Sequence, residues 1–326
     1  MPVSGECETA TWERILMYLR CPRCGASLDI EVDGVCCAQG HHYPGQSGYL
    51  DFSAGAHADR TTERTFSSFG YEWNAFDAIR DEDESFAAAY FKDLDFGGLA
   101  GRVGLDAGCG KGRFTQILAR HLRTLIALDG SEAVDAAARN LRDVGNVGVV
   151  RADLRTPLFA RESLDFIASL GVLHHLDDPR AGFEHLAAYL APGGQMLLYL
   201  YSRPDRIGSR SVALALASMM RRATIHLPHP FLKLLSGPIA AVLELVVVRP
   251  GLWGQRRGIA ALSRLPMSTY RDKPYRSLVL DTFDRLSAPV EHRYVWAELE
   301  PWFARAGLVV DAARDETGWF VLAHRA

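Results

Sequence analysis

The stretch "GLDAGCGKGRF", Gly104 to Phe114, decides the fold. An apolar strand runs into Gly108-Cys109-Gly110-Lys111-Gly112 and then straight into a helical stretch, the context in which a glycine turn wraps a nucleotide. Glycines there let the chain turn tightly and bring its backbone close to a ligand.

Outward from this loop, short apolar runs alternate with helical stretches, the pattern of a doubly wound parallel α/β sheet. Strands are expected at 102–108, 124–130, 146–153, 163–171 and 195–202. "VWAELEPWFARAG" reads as a helix closed by Gly307, and "LVVDAARD" and "GWFVLAHR" complete a seven-stranded, mostly parallel sheet. The expected organisation is a cysteine-bearing segment over 1–55, then a linker and helices over 56–101, with "AHADRTTERT" as the linker. The core follows over 102–203, a helical insertion after the fifth strand over 204–291, and the last helix and two strands over 292–326.

Two carboxylates keep register with the glycine loop. Asp129 closes the second strand in "ALDGS", about 20 residues on, where a carboxylate can accept both hydroxyls of a ribose. Asp153 ends the third strand in "RADL", placed for the exocyclic amine of an adenine; capping of loop starts is the plainer alternative for both.

"LDAGCGKG", "ALDGS", "RADL", "LDFIASLGVLHHLDDP" and "LAPGGQMLLYL", in order over about 103–202, resemble the class I S-adenosylmethionine-dependent methyltransferases, in the group that includes the ubiquinone and menaquinone methyltransferases. A dehydrogenase fits less well, because "AGCGKG" lacks that family's third glycine position. The resemblance implies that Asp106, Ala107, Gly108, Cys109, Gly110 and Gly112 line the methionine part of S-adenosylmethionine. It likewise implies that Asp129, Gly130 and Ser131 hold the ribose, that Asp153 and Leu154 meet the adenine edge, and that Leu170 borders the cofactor.

Methyl transfer from a sulfonium is an in-line displacement, so aligning the acceptor and excluding water are the protein's main tasks. His174 and His175, just after the fourth strand, are candidate general bases, with a plain family position as the alternative. No "N/D-P-P-F/Y" signature follows that strand, which favours an acceptor oxygen or carbon. "FSSFGYEWNAF" resembles an aromatic segment that folds over the cofactor, making Tyr71 and Trp73 lid candidates against simple core packing. His292, Arg293 and Tyr294 precede the last helix where the same group borders its acceptor. The insertion is rich in Leu, Val, Ala and Met, and reads as an apolar lid over a hydrophobic or aromatic small molecule or as a homodimer interface.

Four of the six cysteines crowd "CPRCGASLDIEVDGVCCAQGHH", Cys21 to His42. Cys21 and Cys24 make a CxxC corner, and Cys37 with His41 a C-x3-H corner, spacings that suit a four-ligand structural Zn²⁺. Cys36 with His41 is a looser alternative. This segment resembles the zinc segment of ribosomal-RNA guanine methyltransferases and that of the tRNA methyltransferase activator subunit. Two other functions therefore stay open: RNA methylation, and a non-catalytic cofactor-binding or activator role. A net charge of −3 and a pI near 6.4 give no global attraction to polyanions, which disfavours nucleic acid as partner. The N-terminus has no secretory pattern, so a reducing cytoplasm is expected. The apolar run 234–250 is interrupted by Gly237, Pro238 and Glu244, and no transmembrane span is expected from it.

Overall fold

The protein is described as a computed structural model covering residues 6–53, 59–204 and 208–326. Residues 54–58, which include the start of the expected linker, lie outside the described residues. The chain divides into two units, Met1–Ser202 with His292–Ala326, and Arg203–Glu291.

The first unit is built on strands that are apolar on both faces because helices cover both sides of the sheet. After α1 (Glu6–Leu16) come β1 (Leu28–Glu31), β2 (Gly34–Cys37), β3 (His42–Gln46) and β4 (Tyr49–Asp51), then α2 (Arg60–Ala75) and α3 (Asp81–Tyr90). The core proper is β5 (Val103–Ala107), α4 (Arg113–Leu118), β6 (Thr124–Asp129), α5 (Ala133–Leu141), β7 (Val147–Arg151), β8 (Leu164–Leu170), α6 (Pro179–Ala187) and β9 (Leu190–Leu200). Every residue of β5 is buried.

Strand order is β1-β2-β3-β4-β7-β6-β5-β8-β9-β11-β10, where β10 (Leu308–Asp315) and β11 (Trp319–Arg325) are the antiparallel C-terminal pair. The sheet thus has eleven strands rather than seven. The four extra strands come from the N-terminal segment, whose β4 pairs in parallel with the edge strand β7 through Tyr49, Leu50 and Asp51. A three-residue strand gives almost no periodic signal, and its partner lies 100 residues away. The segment also shares the main core: Trp12, Ile15, Leu50 and Phe52 belong to one buried cluster with Ile126, Val150 and Leu198. Gly148 lets α1 lie close on β7, since a Cβ there would fall 2.3 Å from the Ile15 Cδ1.

"AHADRTTERT" is not all linker. Asp59 accepts hydrogen bonds from the Thr61 and Thr62 amides and caps α2, with Glu63 in the first turn.

The second unit is helical: α7 (Ser209–Thr224), α8 (His229–Leu243), a π-turn over Glu244–Val248, α9 (Arg249–Arg257), α10 (Ala260–Ser263) and α11 (Tyr275–Ser287). Ala240, Val248, Tyr270 and Leu278 form its core, and Arg221 pairs with Glu291 at 2.9 Å. Gly237 and Pro238 do not break the apolar run as the sequence suggests. His229–Arg257 is one helix of 29 residues, long and apolar enough by composition to cross a membrane. A proline removes one backbone bond, a loss that packing of the buried Leu232, Ser236 and Ala240 face offsets. The last helix of the first unit, α12 (Trp296–Arg305), leads into β10.

Candidate functional site

The strand order reverses between β5 and β8, with β6 and β7 on one side and β9 on the other. In such sheets the crevice beyond the carboxyl ends at this point is where ligands bind. The glycine loop occupies it. Gly108 and Gly110 have φ of +89° and +54°, a backbone region that side chains disfavour, and a Cβ on Gly108 would meet Val172 at 2.2 Å. The Gly108 and Cys109 amides donate to the Leu128 carbonyl, tying the loop to the next strand.

Asp129 fixes the loop from the other side. Its Oδ2 accepts from the Gly110 amide at 2.9 Å, and its Oδ1 accepts from the Ser131 amide at 2.9 Å and hydroxyl at 2.6 Å. A carboxylate has about four acceptor positions, so these three bonds leave capacity for a further donor. Burial raises the Asp129 carboxyl above its ordinary pKa. Asp106, at 1% exposure, accepts from the Thr115 hydroxyl at 2.6 Å. Burial pushes its carboxyl up to about 6; the Thr115 bond opposes that and the nearby Asp129 charge adds to it. Ala107, Cys109, Leu154 and Leu170 are buried, and Gly112 opens α4.

Asp153 is already engaged. Its Oδ1 accepts from the Arg155 amide and Nε at 2.8 and 2.9 Å, and its Oδ2 from Nη2 at 2.6 Å. Arg155 also donates to the Thr62 hydroxyl at 3.2 Å. The sequence reading missed Arg155, whose approach to Asp153 is set by the turn between them.

Helix α2 passes all three loops in turn. Thr62 reaches Arg155, Phe66 covers Gly130 and Trp73 covers Gly110, with hypothetical Cβ contacts of 2.4 and 3.0 Å at the two glycines. The spacing 62, 66, 73 is one helical face. Arg113 stacks 5.0 Å from the Trp73 ring, and the Lys111 ammonium, buried, donates to the Phe76 and Ala78 carbonyls at the helix end. Tyr71 is half-buried on the same helix.

A histidine cluster stands at the ends of β8 and β9. His174 is fully buried and stacks on Tyr201 at 3.9 Å, while His175 packs between His174 and Phe69. Burial first, then the charges of His175, Arg293 and His292, hold His174 well below the ordinary histidine pKa, so it is neutral. Neither of its ring nitrogens has a hydrogen-bond partner among the described residues, and the same holds for Nε2 of His292. The His292 amide donates to the His174 carbonyl at 2.8 Å. Arg293 lies 4.7 Å from the Tyr201 ring and donates to the Ser202 carbonyl at 3.3 Å. Tyr294 packs on Trp302 instead, and burial raises its hydroxyl to about 12.

In the N-terminal segment the ligating atoms of Cys21, Cys24, Cys37 and His41 lie within 4.8 Å of one another. Cys24 Sγ is 3.7 Å from Cys37 Sγ, and His41 Nδ1 is 3.4 Å from both Cys21 and Cys37 Sγ. A tetrahedron with bonds of about 2.3 Å to sulfur and 2.0 Å to nitrogen has edges of roughly 3.8 and 3.5 Å, close to these values. Strand alternation sends Cys36 to the opposite face from Cys37, where Glu31 first and burial second raise its thiol to about 11. His42 also turns away, to Asp33 at 3.1 Å.

Residues 105–198 match the family model described as a methyltransferase domain. Over 120 residues the chain is 36% identical to an uncharacterized protein of Synechococcus, covering 35% of this chain and 28% of that one. Over 107 residues it is 28% identical to a ubiquinone biosynthesis O-methyltransferase of Coxiella burnetii, covering 32% and 46% respectively. The matched stretch is thus less than half the length of either relative. An S-adenosylmethionine-dependent methyltransferase from Mesorhizobium loti superposes with a TM-score of 0.46 at 18% identity, over 74% of this chain and all of that one.

Proposed function

We propose that the chain binds S-adenosylmethionine and moves its methyl group to an oxygen or carbon of a small, partly hydrophobic acceptor. The observation that carries this reading is the Gly110–Asp129 bond, which ties together the first two of three consecutive strand ends. The glycine loop after β5 is held by Asp129 at the end of β6, and Asp153 follows β7. The domain match over residues 105–198 supports it.

The cofactor, when bound, supplies an electrophilic methyl group. The protein's residues do the rest. Asp129 and the loop amides would fix the ribose and methionine ends, Asp153 and Leu154 the adenine edge, and α2 would exclude water through Phe66 and Trp73. On the acceptor side, both ring nitrogens of His174 and Nε2 of His292, buried and without partners among the described residues, favour an acceptor bearing a hydrogen-bonding oxygen, because buried polar atoms rarely lack partners. His174, held neutral, orients rather than supplies charge. His175 and Arg293 complete that wall.

We also assign Cys21, Cys24, Cys37 and His41 to a structural Zn²⁺. Four protein donors, three of whose separations come close to tetrahedral edges, would leave no coordination position for chemistry.

Calorimetry with S-adenosylmethionine tests the cofactor assignment. Wild type should bind, and Asp129→Ala, which removes both the ribose acceptor and the Gly110 anchor, should bind about 100-fold less tightly. Absent binding in wild type, or equal affinity in the two, sinks it. Transfer of a labelled methyl group to extracts fractionated into RNA, protein and lipophilic metabolites then identifies the acceptor class; label in the RNA fraction alone would overturn the small-molecule reading.

A further inference from the structure

The methyl-transfer reading leaves the Arg203–Glu291 unit unused, and among the described residues this unit carries most of the large exposed apolar side chains. On the His229–Arg257 helix, Phe231, Leu234, Val242, Leu245, Val246 and Trp253 are between 47% and 70% exposed. Steps of three, four, seven or eight residues bring most of them onto one helical stripe, about 33 Å long at 1.5 Å per residue from Phe231 to Trp253. The opposite face is different: Leu232, Ser236, Ala240, Val248, Gly251 and Gly254 are buried, and Ala240 and Val248 pack with Tyr270 and Leu278. A helix apolar on one side and packed on protein along the other lies on a bilayer rather than crossing it.

Charge selects the occupant. Between residues 209 and 264 the chain has eight lysines and arginines and a single acidic residue, Glu244, although the whole protein is net −3. Glu244 is itself paired with Arg249 at 3.3 Å. Lys233, Arg222, Arg256 and Arg257 are exposed, and Arg257 sits 5.7 Å from the Trp253 ring. Long basic side chains reach past an apolar stripe to phosphate headgroups, and tryptophan settles at the same depth. A second copy of this chain would instead bring like charges together on the same stripe. RNA would be served by the arginines but not by six bare apolar side chains.

We infer that the His229–Arg257 helix docks the protein on an anionic lipid surface, its Phe231–Trp253 stripe in the acyl boundary and its basic residues on the headgroups. Such docking would give the protein access to lipid-dissolved small molecules. No residue assigned to the cofactor or to zinc belongs to this unit, so the docking assignment can fail while methyl transfer stands, and the reverse.

Flotation of the full chain with phosphatidylcholine vesicles, with and without phosphatidylglycerol, tests it. Wild type should float with the phosphatidylglycerol vesicles, and high salt should weaken that, because the basic contribution is screened. Leu234→Glu with Leu245→Glu should lower the bound fraction about tenfold or more, and Arg256→Glu with Arg257→Glu should abolish the preference for phosphatidylglycerol. Both variants change exposed positions, and unchanged calorimetric binding of S-adenosylmethionine together with an unchanged helical circular dichroism signal shows that they are folded. Wild type that stays unbound with both vesicle types overturns the inference. So does a dimer, seen by light scattering, that the Leu234→Glu and Leu245→Glu pair dissociates while vesicle binding is unaltered. Retention on RNA without flotation overturns it as well.

Discussion

Replacing Asp106 with asparagine should remove a pH dependence that the fold carries at the glycine loop. The carboxyl is 1% exposed, and burial lifts it from 3.8 to about 6. A raised carboxyl pKa means that the folded state holds the proton more tightly than the unfolded chain. Below pH 4 both states are protonated and the stability associated with this group is fully present. Between pH 4 and 6 the unfolded chain ionises first, so stability falls as pH rises, and the loss is complete just above 6. About two units at 1.36 kcal/mol each make this roughly 3 kcal/mol. Asparagine keeps an oxygen for the Thr115 hydroxyl but cannot ionise. The stability difference between Asp106→Asn and wild type, from urea unfolding of the sheet-bearing unit, should be small at pH 4 and grow by about 3 kcal/mol in the variant's favour by pH 7. Subtracting the two proteins cancels titration of every other group that the substitution leaves alone. A difference that stays flat from pH 4 to 7 would refute the reasoning, and one that grows with the opposite sign would mean that Asp106 is stabilised as an anion in the fold.

The remaining predictions concern the proposed zinc and adenine sites. Cys24→Ser should lose about one equivalent of zinc per chain by metal analysis, and chelation of wild type should raise amide exchange at Leu50 and Phe52 before it does so in β5, because the metal corner and the β4–β7 pairing share one core. Retained zinc in Cys24→Ser would remove that cysteine from the donor set. If Asp153 accepts the exocyclic amine of the cofactor, wild type should prefer S-adenosylhomocysteine over its inosine analogue by roughly 10- to 100-fold, and Asp153→Ala should lose most of that preference. Equal discrimination in both proteins would leave Asp153 as the partner of Arg155 alone.

What the sequence made legible follows from how each element is buried. β5, β6, β7 and β8 are covered on both faces, so each reads as a predominantly apolar run, and their ends come within a residue or two of the expected places. The loop carboxylates were legible for the same reason, since a strand that stops abruptly fixes the position of Asp129 and Asp153. Side-chain partners were less so. Arg155 closes on Asp153 by a turn geometry that periodicity does not encode, and the face that Phe66 shares with Trp73 shows only when residues are counted in threes and fours. Gly237 and Pro238 misled for a different cause: local propensity argued for a break, and the buried face of the His229–Arg257 helix overrode it.

The N-terminal segment shows where local reading stops and topology takes over. Its spacing announced a metal corner, and period-two alternation separates Cys36 from Cys37 once the β2 register is known. Its place in the sheet was not announced. An open parallel sheet that ended at β7 would leave a row of unpaired backbone groups at its edge, a template for unwanted pairing. β4 covers that edge with a strand of three buried residues, and β3, β2 and β1 follow it as short antiparallel strands. Strands this short cannot hold themselves, and the proposed Zn²⁺, with four side chains converging on it from β2 and the flanking turns, would supply what the missing length does not. The cysteine cluster is thus tied to the edge of the very sheet that bears the glycine loop, and Asp51 of β4 faces Arg151, two residues before Asp153. Loss of the proposed Zn²⁺ should therefore be felt at Asp153, the proposed adenine edge, before it is felt at the glycine loop, which sits two strands further in.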